Sequence, residues 1–119
     1  MIIYYAHFSG IYNTKQEERD METIRKLFPN DVIINPNKPE YQSGYNNSGL
    51  GMDYFFNLVK ESDLLVFRGC VNGKIGAGVW GEIQIAQEKG IPIIELPSFL
   101  DRQMSVDETR IMLKEIGVR

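Results

Sequence analysis

One cysteine and one histidine are all that these 119 residues hold of those two types. A lone Cys70 excludes an internal disulfide and leaves a single thiol for any metal site. With no histidine near it in sequence, Cys70 reads as an inert thiol. No apolar run approaches the roughly 18 residues that span a bilayer, and no charged, apolar and small-residue leader opens the chain. An excess of basic charge is missing too: 13 Lys and Arg against 16 Asp and Glu leave a net charge of -3. That balance gives no electrostatic footprint for nucleic acid or an anionic membrane, so neither is expected as a partner. There is no internal repeat and no low-complexity tract. What the chain does have is 43% apolar residues, enough for one core. The expectation is a soluble cytoplasmic protein forming a single domain over residues 1–119.

Strand and helix signals alternate along the chain. Ile2 to Phe8 is apolar with almost no polar alternation, as in a strand buried on both faces, and it stops at Ser9-Gly10. Thr14 and Glu17 have the spacing of a capping box, and Met21, Ile24, Leu27 and Phe28 give the helix an inward stripe up to Pro29. Asp31 to Asn35 predicts a second strand. The segment from Asn35 to Gly51, rich in Asn, Pro, Gly, Ser and Tyr, predicts a long irregular connection, a lid candidate. Met52, Phe55, Phe56 and Val59 predict an amphipathic helix closing at Ser62. Asp63 to Phe67 predicts a third strand, followed by a glycine-rich turn and a helix whose stop is Gly90. Ile91 to Leu96 predicts a fourth strand. Ser105 and Glu108 mark a last capping box, with a helix through Ile116 and Gly117 as its stop. This order predicts a doubly wound α/β domain, flavodoxin-like or Rossmann-like, with a mostly parallel sheet and a ligand site beyond the carboxyl ends of its strands.

Chemistry gathers at Gly73-Lys74-Ile75-Gly76-Ala77-Gly78-Val79-Trp80-Gly81-Glu82, where four glycines leave backbone free to approach a ligand. Glu82, near a helix start, is placed to be held ionised by the helix dipole and to serve as nucleophile or base; the same position suits a helix-stabilising first-turn acid. Asp63 at a strand entrance suits either a catalytic acid or a turn cap. Lys74 could meet a phosphate, although GxxxxGK[ST] is absent and GxGxxG is matched only in part by Gly76, Gly78 and Gly81. His7, Ser9 and Arg68 follow strand ends and fall on the same predicted edge as Gly73, Lys74, Gly76 and Gly78. His7 suits a structural hydrogen bond as well as a catalytic one. Tyr4, Tyr5, Tyr41, Tyr45 and Tyr54 could stack on a base or simply pack.

These pieces together resemble the nucleoside 2-deoxyribosyltransferase-like superfamily, which includes deoxynucleoside-monophosphate N-glycosidases. The resemblance spans residues 2 to 96. It rests on the N-terminal Ile-Tyr strand, on Ser62-Asp63-Leu64-Leu65-Val66-Phe67, on Gly76-Ala77-Gly78-Val79-Trp80-Gly81-Glu82-Ile83-Gln84-Ile85-Ala86, and on Lys89-Gly90-Ile91-Pro92-Ile93. It implies Glu82 as the nucleophile on a sugar's anomeric carbon, Tyr4 as the residue holding that glutamate, and Asp63 as the acid assisting the base or orienting the sugar. At position 76 the family commonly has Asp or Ser and this chain has Gly; Trp80 and Gly81 also depart from its usual small or aliphatic residues. The resemblance further implies a homodimer or larger homo-oligomer.

The expected function is cleavage or deoxyribosyl transfer at the N-glycosidic bond of a nucleoside or nucleotide, needing neither a metal nor an organic cofactor. A non-catalytic module that binds a nucleotide-derived ligand is the alternative, and an oligomeric scaffold without a small ligand is a third reading.

Overall fold

In the computed structural model, which describes residues 1–70, 72–97 and 103–118, four parallel strands lie in the order β2-β1-β3-β4. The strands are β1 (Ile2–Ala6), β2 (Val32–Ile34), β3 (Leu64–Phe67) and β4 (Ile93–Glu95). Five helices accompany them: α1 (Lys15–Leu27), α2 (Pro39–Ser48), α3 (Asp53–Lys60), α4 (Ala77–Lys89) and α5 (Val106–Glu115). The fold is a three-layer α/β domain of the flavodoxin or Rossmann-like kind.

Alternation along the central strands divides the core in two. Ile3, Tyr5, Leu64 and Val66 face α1 through Met21 and Ile24. Tyr4, Ala6, Leu65 and Phe67 face α3 and α4 through Val59, Val79, Ile83 and Ala86. Because both faces of β1 and β3 are covered, these strands carry unbroken apolar runs. The register sets Tyr4 beside Leu65 and Ala6 beside Phe67. The chain leaves β1 toward β2 on one side and later returns to β3 on the other. The carboxyl ends of β1 and β3 therefore flank the topological switch point, where α/β sheets hold ligands.

The Thr14 side chain accepts from the Glu17 backbone N–H and starts α1. Gly90, at φ 70°, ends α4 in the left-handed conformation its sequence position predicts. Ser105 caps α5 by accepting from the Glu108 N–H at 3.1 Å. No described side chain of α5 is fully buried, and Val106, Ile111 and Ile116 are exposed.

The segment from Asn35 to Gly51 departs from expectation. Pro39 to Ser48 is the helix α2, not an irregular connection. Pro39 occupies its first turn, where a fixed φ favours helix and no N–H is missed, and Gly49 closes it at φ 68°. The Tyr45 ring stacks on Phe55 with centroids 5.0 Å apart, and Gly44 lies against the Tyr54 hydroxyl group. Tertiary contact with α3 thus supports a helix of modest intrinsic propensity.

Gly81 serves packing. A Cβ there would stand 2.9 Å from Phe56 Cζ, so the glycine lets α4 approach α3. Gly81→Val is expected to lower stability by about 2 kcal/mol, since overpacking a tight contact costs about 1–3 kcal/mol. A fall in the urea midpoint without a change in slope checks this.

Candidate functional site

A cavity of about 380 Å³ opens at the switch point. β1 contributes Tyr4, and the chain leaving it contributes His7, Phe8, Ser9 and Tyr12. Pro36, Gln42 and Tyr45 come from the β2–α2 connection and α2, while Met52 and Phe55 come from the start of α3. The start of α4 closes the circuit with Gly76, Ala77, Gly78, Val79 and Glu82.

Among the described residues Glu82 is the only carboxylate lining this cavity, and it is 5% exposed. Tyr4 Oη donates a hydrogen bond to its Oε2. Among the described residues Oε1 makes no hydrogen bond, and the side chain lines the cavity. α4 begins at Ala77, which places Glu82 in the second turn, beyond the free N–H groups of the first. The expectation that the helix dipole keeps this acid ionised therefore fails. Burial dominates and pushes the carboxyl up from 4.5 to about 7, against the lowering effect of the Tyr4 hydroxyl. A group at that value exchanges a proton readily near neutrality. Burial, and then the charge of Glu82, push the Tyr4 phenol well above its usual range, so Tyr4 is a donor and not a base.

The glycines before Glu82 separate into distinct tasks. Gly76 is the N-cap of α4 and has no side chain to cap it, which leaves the N–H groups of Ala77 and Gly78 at the cavity edge. Gly78 has Met52 Cε 3.6 Å from where a Cβ would lie. Gly73, at φ 78°, turns the chain, with its N–H donating to the Cys70 carbonyl at 2.9 Å.

Six of the residues expected at the site do line the cavity: Glu82, Tyr4, His7, Ser9, Gly76 and Gly78. Four do not. Asp63 precedes β3 at its amino end, where its Oδ2 accepts from the Ile2 N–H at 2.7 Å and its own N–H donates to the Ile2 carbonyl at 2.7 Å. A strand of four residues separates it from the carboxyl edge, roughly 13 Å at about 3.3 Å per residue. Asp63 is a strand-pairing residue, so the acid role implied for it is corrected.

Arg68 sits at the correct end of β3 but turns to the α1 face. There Nε and Nη2 clasp the Asp20 carboxylate at 3.0 and 2.6 Å, while Nη1 donates to the Pro97 carbonyl at 2.9 Å. Each of its three nitrogens is engaged within the protein, and the residue is not part of the cavity lining. Gly73 and exposed Lys74 belong to the turn beyond Cys70 and lie outside the cavity lining. The Lys74 carbonyl accepts from the Cys70 N–H at 2.8 Å, closing that turn.

Tyr12, Pro36, Gln42, Met52, Phe55, Ala77 and Val79 line the cavity without having been marked as site residues. Met52 and Phe55 were legible only as helix stripe, because apolar periodicity does not tell a core from a ligand wall. Gln42 lies in the segment read as a lid. Its Nε2 donates to the Pro36 carbonyl at 2.7 Å, which fixes the amide at the cavity wall.

Among the described residues no group of His, Cys, Asp and Glu is arranged to hold a metal ion. Among the same residues, no helix is long and apolar enough to cross a membrane.

No family model matches the chain, and no curated protein matches it. A solved structure to which it is similar is the crystal structure of a conserved protein from Enterococcus faecalis V583. The two share 28% identity over 100% of this chain and 77% of that one, with a TM-score of 0.67.

Proposed function

We propose that this protein cleaves, or transfers across, the N-glycosidic bond of a nucleoside or nucleotide, with Glu82 as nucleophile. The observation that carries this reading is a buried carboxylate lining the cavity, with one oxygen held by Tyr4 and the other without a hydrogen bond among the described residues. The cavity's size falls within the roughly 300–1,000 Å³ of small-molecule sites. Phe8, Tyr12, Tyr45 and Phe55 give it several aromatic faces for a planar base.

In the proposed first step, Glu82 Oε1 attacks the anomeric carbon as the carbon–nitrogen bond breaks, and the bonding pair leaves with the base. Water or a second base then displaces the ester and restores the carboxylate. The negative charge of Glu82 stabilises the oxocarbenium-like sugar in both steps. Tyr4 acts by orienting the carboxylate. With Asp63 at the opposite edge, the departing base takes its proton from solvent. For a 5′-phosphate, the N–H groups of Ala77 and Gly78 are the backbone donors available beside Gly76.

That no second carboxylate among the described residues lines the cavity favours one other reading, a module that binds a nucleotide-derived ligand without turning it over. Incubation of the purified protein with a panel of nucleosides and nucleoside monophosphates, followed by chromatography, separates the two. Free base from at least one member is the expected result. A compound retained unaltered, with no base released from any member, would replace the enzyme by the binding module.

A further inference from the structure

Away from Glu82, the cavity is bordered by a hydrogen-bonded group that the proposed chemistry does not use. The His7 ring is buried and both of its nitrogens meet acceptors. Nδ1 faces the Tyr5 carbonyl at 3.1 Å, and Nε2 faces Glu17 Oε2 at 2.7 Å. A carbonyl cannot donate, so Nδ1 carries a hydrogen. A neutral imidazole then has a bare lone pair at Nε2, pointing at a carboxylate oxygen. The contact is attractive only when one further proton lies between Nε2 and Oε2.

Glu17 is also the anchor of the β2–α2 connection. Asn37 Nδ2 donates to its Oε1 at 3.0 Å and its Oε2 at 3.2 Å, and the Asn13 N–H donates to Oε1 at 3.2 Å. Asn37 Nδ2 also reaches Asn13 Oδ1 at 3.0 Å, and its own N–H donates to Asn35 Oδ1 at 2.9 Å. Just before Asn37 stands Pro36, and just after it begins α2, with Gln42 and Tyr45 at the cavity. The spacing of Thr14 and Glu17 suggested a capping box, in which Glu17 would bond the Thr14 N–H. Its carboxylate instead joins β1 to the connection that carries α2.

We propose that His7, Glu17 and Asn37 are positioning residues, in which a proton shared by His7 and Glu17 keeps Glu17 as the anchor of Asn37 and so holds α2 at the cavity. The inference rests on that cavity being the working site. The surroundings suit a charged pair. The Tyr5 ring stacks on His7 with centroids 3.8 Å apart and planes 6° from parallel, a geometry favourable to a cation. Tyr12 lies tilted against the ring at 4.9 Å. Asp20 from α1 favours the cation by its charge, although Arg68 from the end of β3 neutralises much of that field. Across the cavity Glu82 from α4 is the remaining acid among the described residues. Burial opposes the cation and draws the imidazole below its ordinary value, while Glu17 and the Tyr5 carbonyl resist. The Glu17 carboxyl is also buried, which would raise it, but donation from His7, Asn37 and Asn13 brings it below the usual range. As pH rises and the pair gives up its proton, Nε2 and Oε2 repel and the anchor loosens.

Amide hydrogen exchange of the ligand-free protein, corrected for intrinsic rates, tests this without reference to turnover. Protection of the α2 amides is expected to fall about tenfold in Glu17→Ala, while β1 and β3 amides keep theirs. Glu17→Gln should restore that protection, because its amide donates to neutral His7 while its carbonyl still accepts from Asn37. Native α2 protection should fall with rising pH, and the Gln variant should lack that dependence. Should Glu17→Ala not fold, Asn37→Ala leaves the His7–Glu17 contact in place and must lose the same α2 protection. Unchanged α2 exchange in these variants or failure of Gln to rescue would overturn the proposal. If α2 behaves as expected while no base is released from any nucleoside, the anchor stands and the catalytic reading falls.

Discussion

Glu82→Gln is expected to abolish base release from whichever nucleoside or nucleotide the protein consumes, by at least about 10³-fold in kcat, because the amide cannot form the glycosyl ester. The substitution is close to isosteric, and its carbonyl still accepts from Tyr4, so the fold should persist. In the native protein only ionised Glu82 attacks. With its carboxyl pushed up to about 7 by burial, kcat/KM should rise about tenfold per pH unit below that value and level off above it. The same titration makes an opposite statement about stability. A carboxyl that goes from 4.5 unfolded to about 7 folded binds more protons in the native state between those values, so stability falls as pH rises through that window. At about 1.4 kcal/mol per unit the loss is about 3 kcal/mol once the pH is well above 7. Glu82→Gln, free of that titration, should gain stability relative to native protein at pH 8 and gain much less at pH 5. Turnover equal to native at every pH would exclude Glu82 as nucleophile, and a stability difference independent of pH would show that burial does not hold its proton.

The order of elements was legible because β1 and β3 are covered on both faces and cannot be mistaken for half-exposed strands. Glu82 was legible as a residue of the switch-point cavity, but with the wrong physics: the glycine turn pointed to that edge, while helix phase at α4 and burial set its protonation. Asp63 illustrates a direction error. A residue entering a parallel strand and one leaving it are on opposite edges, so the topology that placed His7 and Glu82 at the cavity also removes Asp63 from it. Arg68 illustrates a phase error. It leaves β3 on the same face as Val66, toward α1, whereas Glu82 meets the face of Leu65 and Phe67. Period two along β3 carries that information. α2 was not legible, since a helix without a fully buried residue leaves no apolar stripe, and its support comes from Pro39, Gly49 and contact with α3. The Glu17 contacts were hidden for a related reason, because its three partners come from β1's end, the turn before α1 and the connection after β2.

The pair that removes Arg68 from the ligand site should be the most sensitive point of the fold. Asp20 is 2% exposed and takes four hydrogen bonds: two from Arg68, one from Tyr5 Oη at 2.6 Å and one from Gln16 Nε2 at 2.8 Å. Through Arg68 the group also ties down the backbone after β4, by way of the Pro97 carbonyl. Arg68→Ala leaves the Asp20 carboxylate buried without its cation, and breaking a buried pair from one side costs about 3–5 kcal/mol. Arg68→Lys should recover only part of this, since a single ammonium cannot reproduce the two-pronged clasp. Replacing both partners, as in Asp20→Leu with Arg68→Met, removes the orphaned charge as well as the attraction. That double variant is expected to be more stable than Arg68→Ala alone, with the remaining deficit set by Tyr5 Oη, whose acceptor is gone. Urea unfolding of the three variants at neutral pH measures each of these differences. A loss in Arg68→Ala below about 1 kcal/mol would mean that solvent reaches Asp20 and that the clasp with Arg68 contributes no more than an exposed ion pair.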